Sequence, residues 1–300
     1  MKLNNSKDVG FMKKFIITTD TTADLPKEYL DKNNIGLLTM SFQMDGKEYV
    51  GDEILDIKDF YDKMRSGSMP TTAQVNPEQA KMQFEKYLKE GYDVLHISFS
   101  SGLSGSYNST RIASIELEES YPDSKVIVID SLSVSSGEGL LVYKAVELKK
   151  NGKSIEEIST WLEENKLNVC QYFTVDDLNH LYRGGRVSKT TAILGTVIGV
   201  KPIIHVDNEG KLIPIAKTRG RKQSLCKLLD NMEKLMGTYK SENNIIFVSH
   251  GDAEKEAEIV ANKITERFGI ESIMINTIGP IIGTHSGPGT VAVFFMGENR

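Results

Sequence analysis

The chain has 300 residues, 39% apolar and 26% charged, with a formal net charge of −5; that length suits one large or two ordinary domains, and the acidic balance excludes a general nucleic-acid binder. No window approaches the roughly 18 apolar residues of a membrane span, and residues 1–14 lack the apolar core of a secretory signal. Cys170 and Cys226 form no C-x-x-C and suit a reducing cytoplasm, each as a small apolar filler.

Residues 1–11 read as a disordered lead, with structure starting at Met12. From there strand-like and helix-like segments alternate across short polar connections, the α/β pattern. The spacing predicts a strand at 15–19, a helix from Pro26, a strand at 36–42 and an edge strand after the "DG" turn. Helices are expected at 56–66 and 77–90, the second with Ala80, Phe84, Tyr87 and Leu88 on one face. A strand at 93–99, a serine-rich turn, a helix at 105–120, a strand at 125–130 and a helix at 136–150 complete a first domain, 12–150. "NGK" at 151–153 reads as the boundary to a second domain, 151–300. That half carries helices at 154–165, 175–182, 221–239 and 253–268, and strands at 168–174, 244–250, 271–276 and the C-terminal end. A hairpin turns at Asp207–Gly210, and 279–290 reads as a Gly/Pro-rich loop. The expected architecture is α/β, two α/β domains with a ligand site in the cleft between them.

The segment "SFSSGLSGSYNST" (98–110) concentrates hydroxyls at the end of an apolar strand. A hydrolase elbow needs G-x-S-x-G, and "GLSGS" (102–106) misses the final glycine by one place. A phosphate cradle at a strand-to-helix turn is open on backbone grounds, but neither dinucleotide nor P-loop spacing is present. The plainest role of Ser104 is to cap the next helix, worth about 1 kcal/mol. Two further clusters shift that balance: "PTTAQVNP" (70–77) and "GPIIGTHSGPGT" (279–290), where glycines around His285 allow close backbone approach to a ligand. Asp20 and Asp24 in "TTDTTADLP" read as helix caps at a strand end. No His/Cys/Asp cluster has metal-ligand spacing, and no cofactor is expected.

These three stretches, with "ITTDTTADLP" and "LYRGGRVS", resemble the DegV family of bacterial lipid-binding proteins, in motif order and over Met12 to Arg300. The resemblance implies a fatty acid held in a tunnel between two α/β domains. It further implies a separate kinase subunit, fatty acid kinase, that phosphorylates the presented carboxylate to an acyl phosphate, so that the chain alone is not an enzyme. Carried over residue by residue, Thr72 and Ser104 match the carboxylate-holding hydroxyls and His285 the histidine beside them; Thr71 and Ser101 complete the expected set. Ala73 stands where the family pattern has serine, and Ser106 and Ser286 where it has threonine.

Hydroxyl donors suit such a task, because they orient a carboxylate without neutralising it, whereas a bidentate arginine binds harder and blunts the nucleophile. The tail supplies affinity at about 0.8 kcal/mol per buried methylene. Residues 190–204, rich in small and apolar side chains, are candidate tunnel wall or ordinary core. Arg183 and Arg186 bracket two glycines, and Arg219 and Arg221 alternate in "TRGRKQ"; solvated turns or contacts to a phosphate or the partner subunit are the two readings, with Arg183 and Arg219 placed first. The alternatives are a serine hydrolase using Ser104 with His285, and a phosphate-binding α/β module.

Overall fold

The computed structural model describes residues 13–51, 55–188 and 199–300, so the expected lead at 1–11 lies outside it. In chain order the first elements are β1 Phe15–Asp20, α1 Lys27–Lys32, β2 Gly36–Leu38, β3 Ser41–Met44, β4 Lys47–Tyr49, α2 Ile57–Arg65 and β5 Thr71–Ala73. Then come α3 Pro77–Lys89, β6 Asp93–Ser98, α4 Ser106–Ser120, β7 Val126–Asp130, α5 Ser136–Lys150 and α6 Ile155–Asn165. The rest are β8 Val169–Thr174, α7 Asn179–Arg183, β9 Val200–Val206, β10 Leu212–Arg219, α8 Arg221–Met236, β11 Ile246–His250, α9 Glu254–Phe268, β12 Ile273–Thr277, α10 Pro280–Ser286 and β13 Val291–Met296.

These form two α/β domains. The first is built on a parallel sheet of order β2-β1-β6-β7, with a small antiparallel sheet β4-β3-β5 beside it. β1 and β6 are buried along their whole length, as strands covered on both faces must be. The second is built on a six-stranded mixed sheet of order β10-β9-β8-β13-β11-β12. One core runs without a break from Phe15 to Met296, and a second lies on the far face of the six-stranded sheet, under α8 and α9.

The joint between the sheets is α5, which packs on β1 and β6 and also on β8, β11 and β13. Its first turns are small because both sides are occupied. A Cβ on Gly137 would come within 2.4 Å of the Gln171 side chain, and one on Gly139 within 2.7 Å of the Ala23 carbonyl oxygen. The turn at 151–153 leads into α6, which packs on α5 and β7; the chain first enters the six-stranded sheet at Val169, beyond the boundary expected at 150/151.

Three local expectations differ from the structure. The strand expected at 36–42 is two: the Met40 amide leaves the ladder to donate to Thr21 Oγ1, so β2 and β3 belong to different sheets. Thr71–Ala73, expected in a loop, is edge strand β5 against β3. The Gly/Pro loop contains α10, whose Pro280 pre-sets the first turn while Gly287, at φ +77°, ends it.

Candidate functional site

In the parallel sheet, β1 is followed by β2 on one side, and the chain then resumes with β6 on the other. Ligands of open α/β sheets bind beyond the strand carboxyl ends at such a switch point. The serine-rich loop leaves β6 at this place. Asp20, at the end of β1, ties it down: its Oδ2 accepts from the Phe99 amide at 2.7 Å and from Ser98 Oγ at 3.1 Å. Asp20 therefore links two strand ends and makes no side-chain cap of the short 3-10 turn Thr21–Ala23 that follows it. Burial raises its carboxyl above the usual range, and burial with the nearby Asp20 raises that of Glu138, which accepts from Thr19 Oγ1 and Thr22 Oγ1.

Beyond this point lies a cavity of about 570 Å³, within the range of small-molecule sites. Its body is apolar, with Met40, Phe99, Leu181, Leu212, Ile281 and Phe294 among its walls. Thr72, Ser104, Arg186 and His285 also line it. The structure thus brings together the three motifs that sequence had singled out. Thr72 on β5 meets His285 near the end of α10, with Thr72 Oγ1 2.9 Å from His285 Nε2. Burial, and secondarily the Arg186 charge, lowers the His285 pKa to about 4, so the ring is neutral near pH 7.

Ser104 Oγ accepts from the Ser106 amide at 3.2 Å, serving the first turn of α4 from just outside it, and lies 3.0 Å from Ser106 Oγ. Ser106 Oγ in turn accepts from the Val75 amide at 3.2 Å, which joins the serine loop to the 71–75 segment. The Thr72 and Ser104 hydroxyls each have a potential donor behind them, and the Ser286 hydroxyl, also on the wall, has no hydrogen-bond partner among the described residues. With the proton of His285 on Nε2 and that of Ser106 directed at Ser104, both Thr72 and Ser104 keep their own protons to donate to an anion in the cavity.

Of the remaining expected residues, Thr71 and Ser101 are exposed and do not line the cavity; the Ser101 amide donates to Asp130 Oδ1. Arg186 is at the cavity, yet its Nε and Nη2 donate to the Leu103 carbonyl at 3.2 and 3.0 Å and its Nη1 to the Gly184 carbonyl. Arg183 is exposed, with Nη2 3.0 Å from His180 Nδ1. Arg221 grips Glu256 with two bonds of 2.9 Å and also donates to the Gly289 carbonyl, bracing the turn after α10. Arg219 is exposed, at the end of β10. Residues 190–198 of the candidate wall lie outside the described residues; Ile203 and Ile204, further along it, are buried strand residues. Cys170 is buried, with its thiol pushed up to about 12 by that burial, as befits a filler.

Gly184 of "RGGR" and Gly287 of "HSGPG" serve chain packing, while Gly185 has open space around it. A Cβ on Gly184 would fall 2.1 Å from His285 Nδ1, and one on Gly287 would fall 2.5 Å from the His180 ring. Helices α7 and α10 thus interlock, each placing a histidine over a glycine of the other segment. The hydrolase alternative needs Ser104 on one nitrogen of His285 and an acid on the other. Ser104 pairs with Ser106 instead, and His285 Nδ1 has no hydrogen-bond partner. Among the described residues no group of three or more His, Cys, Asp or Glu side chains is placed to hold a metal, and no helix is long and apolar enough to cross a membrane.

Fold and cavity define a class: two-domain α/β proteins that enclose an apolar cavity with hydroxyls and a neutral imidazole on its wall. The model of the DegV family, described as uncharacterised protein, matches residues 14–298. A DegV domain-containing protein of Clostridium perfringens is 45% identical over 291 residues, covering 96% of this chain and 99% of that protein. Among solved structures, a DegV lipid-binding protein from Thermotoga maritima superposes with a TM-score of 0.82 at 30% identity, covering 96% of this chain and 99% of its own. DegV of Bacillus subtilis, a fatty-acid-binding protein, gives 0.81 at 31% identity, covering 95% and 100%. The chain belongs to the DegV family.

Proposed function

We propose that this protein binds one long-chain fatty acid in the cavity, with its carboxylate against Thr72 and Ser104, and presents that carboxylate to a separate kinase subunit in the cytoplasm. The observation that carries the reading is the make-up of the cavity among the described residues: apolar walls, hydroxyls of Thr72, Ser104 and Ser286 free to donate, and a single arginine already bonded to the carbonyls of Leu103 and Gly184. Solved relatives that bind lipid or fatty acid support it. Burying the tail at about 0.8 kcal/mol per methylene supplies the affinity. The carboxylate, held by neutral donors, keeps its charge and nucleophilicity. In the transfer step a carboxylate oxygen attacks the γ-phosphorus of ATP held by the partner, the bond to the β-phosphate oxygen breaks, and acyl phosphate and ADP result. Exposed Arg183 and Arg219 are assigned to contact the partner or the migrating phosphoryl group; Arg186 and Arg221, bonded within the chain, hold the loops around the site.

The first experiment is mass spectrometry of the purified protein, native and then after denaturing extraction. One long-chain acid per chain is expected. A protein that is empty and takes up no added acid refutes the reading. Incubating the loaded protein with a fatty acid kinase subunit and ATP tests presentation: acyl phosphate is expected, and its absence with a kinase active on other DegV proteins refutes that part.

A further inference from the structure

Beneath the cavity lies a carboxylate that the site described above does not use. Asp24 is buried and bonded on both oxygens: Ser135 Oγ donates to Oδ2 at 2.5 Å, and the Gly279 amide donates to Oδ1 at 2.8 Å. Its carbonyl accepts from Asn276 Nδ2 at 2.7 Å. Asp24 was expected to cap a helix; it joins two cavity walls instead. Ser135 follows Val134, and both line the cavity from the loop after β7. Gly279 follows Ile278 and opens α10, which contributes Ile281, Ile282 and His285 to the same cavity. One side chain therefore sets the separation of a wall from each domain.

Backbone geometry marks the same contact. Ser135 sits at φ +49°, ψ −138°, a conformation that favours glycine, and Asp24 at φ +46°. A serine persists there where its surroundings over-determine it, and the bond to Asp24 is one of those constraints. The grip also reaches the carboxylate end. From Gly279 to His285 the helix rises about 9 Å, so a shift at its first amide is carried to the ring that meets Thr72.

We propose that Asp24 is a positioning residue of the acyl site, which by holding Ser135 and Gly279 together fixes the distance between the two walls and so selects among chain shapes, straight against kinked. The proposal rests on the fatty-acid reading above. Close-packed walls discriminate between chains of equal length by shape, and a wall free to move does so less.

The test offers the full-length protein an equimolar mixture of stearic and oleic acids and counts each bound acid by native mass spectrometry. Wild type is expected to prefer one of them. Ser135→Gly removes the hydroxyl while relieving the positive-φ backbone, which offsets the lost bonds to Asp24 and Ser249, so the variant folds, yet its ratio moves toward one by about threefold or more. Asp24→Ala moves it the same way. Asp24→Asn, whose amide accepts from Gly279 and donates to Ser135, keeps the ratio within about twofold. A wild-type ratio of one, an unchanged ratio in Ser135→Gly, or an Asp24→Asn shift as large as that of Asp24→Ala each overturns the proposal. A wild type that takes up neither acid refutes the fatty-acid reading, and this proposal with it.

Discussion

Gly184→Ala separates packing from backbone preference at the centre of the site. Gly184 has ordinary right-handed helical backbone, φ −71° and ψ −10°. Alanine at such a position stabilises proteins by about 0.4–1 kcal/mol through the unfolded chain. Here the added Cβ would fall 2.1 Å from Nδ1 of His285 and 3.0 Å from its Cε1. Ordinary contact begins near 3.4 Å, so the ring must retreat by more than about 1 Å. That retreat breaks the 2.9 Å contact with Thr72, since the ring is wedged between Gly184 and β5. Overpacking of this kind costs about 1–3 kcal/mol, which leaves a net loss of about 0–2.5 kcal/mol after the entropic gain, toward the upper end for so close an approach. Urea titration is expected to show a lower midpoint at unchanged slope, and native mass spectrometry a faster loss of bound acid. Gly185→Ala is the control: at φ +75°, with no heavy atom within 4 Å of the new Cβ, it strains the backbone and leaves retention intact. A Gly184→Ala protein that is as stable as wild type and retains its ligand equally well would show the interlock of α7 and α10 to be wrong.

Thr72→Ala and Ser104→Ala each remove one donor to the carboxylate, worth about 1.5–3 kcal/mol for a charged acceptor; acyl phosphate formation in the reconstituted system should fall in both, and full activity in both would remove these residues from the site. Arg219→Ala should slow transfer with lipid retained, whereas Arg221→Ala should lower stability by about 1–2 kcal/mol by unpairing Glu256; lipid released from Arg219→Ala, or an unchanged midpoint for Arg221→Ala, contradicts the division between them. Burial raises the Asp24 pKa from 3.8 to about 7. A folded-state value above the unfolded one gives stability that is whole below about pH 4 and is lost as pH rises through 7, with an upper limit of about 4 kcal/mol. Asp24→Asn should flatten that fall in denaturant midpoints measured from pH 4 to 8, and an equally steep fall in the variant would place its origin elsewhere.

Much of the architecture was legible because it rests on local signals. The buried strands β1 and β6, the helix with Ala80, Phe84 and Leu88 inward and the hairpin at Asp207 all stand where periodicity and turn residues placed them. What sequence could not disclose depends on contacts between distant segments. The 36–42 run is continuous in hydrophobicity, and only the Thr21 hydroxyl, 19 residues before Met40, splits it. The Gly/Pro content of 279–290 marked a loop, but Pro and Gly at opposite ends of seven residues mark a short helix equally well. The hydroxyl clusters were visible as composition, and the resemblance joined Thr72, Ser104 and His285; no local signal distinguished Ser101 from Ser104, or pointed to Ser135. The serine loop is sorted only by folding, which leaves Ser101 exposed and turns Ser104 to the cavity.

The arginines show the same limit in charge. Four of them stand in two similar Arg-Gly turns, yet the structure divides each pair into one tied to a distant segment, Arg186 to Leu103 and Arg221 to Glu256, and one exposed, with Arg183 meeting His180 of its own helix. The division has a chemical consequence at the cavity. Arg186 lines it, but a guanidinium already committed to the Leu103 and Gly184 carbonyls has little left for a bidentate grip on a carboxylate. Its field still acts, and helps to keep His285 neutral. Hydroxyls on the wall, that of Thr72 backed by a neutral imidazole, can then hold an anion by hydrogen bonds alone, at a strength that leaves its oxygens reactive. The positive charge needed by a migrating phosphoryl group would come from Arg183 and Arg219 on the surface, where a partner can reach them. On the proposed function, binding and transfer fall to different side chains, which is why Arg219→Ala and Thr72→Ala are expected to fail in different ways.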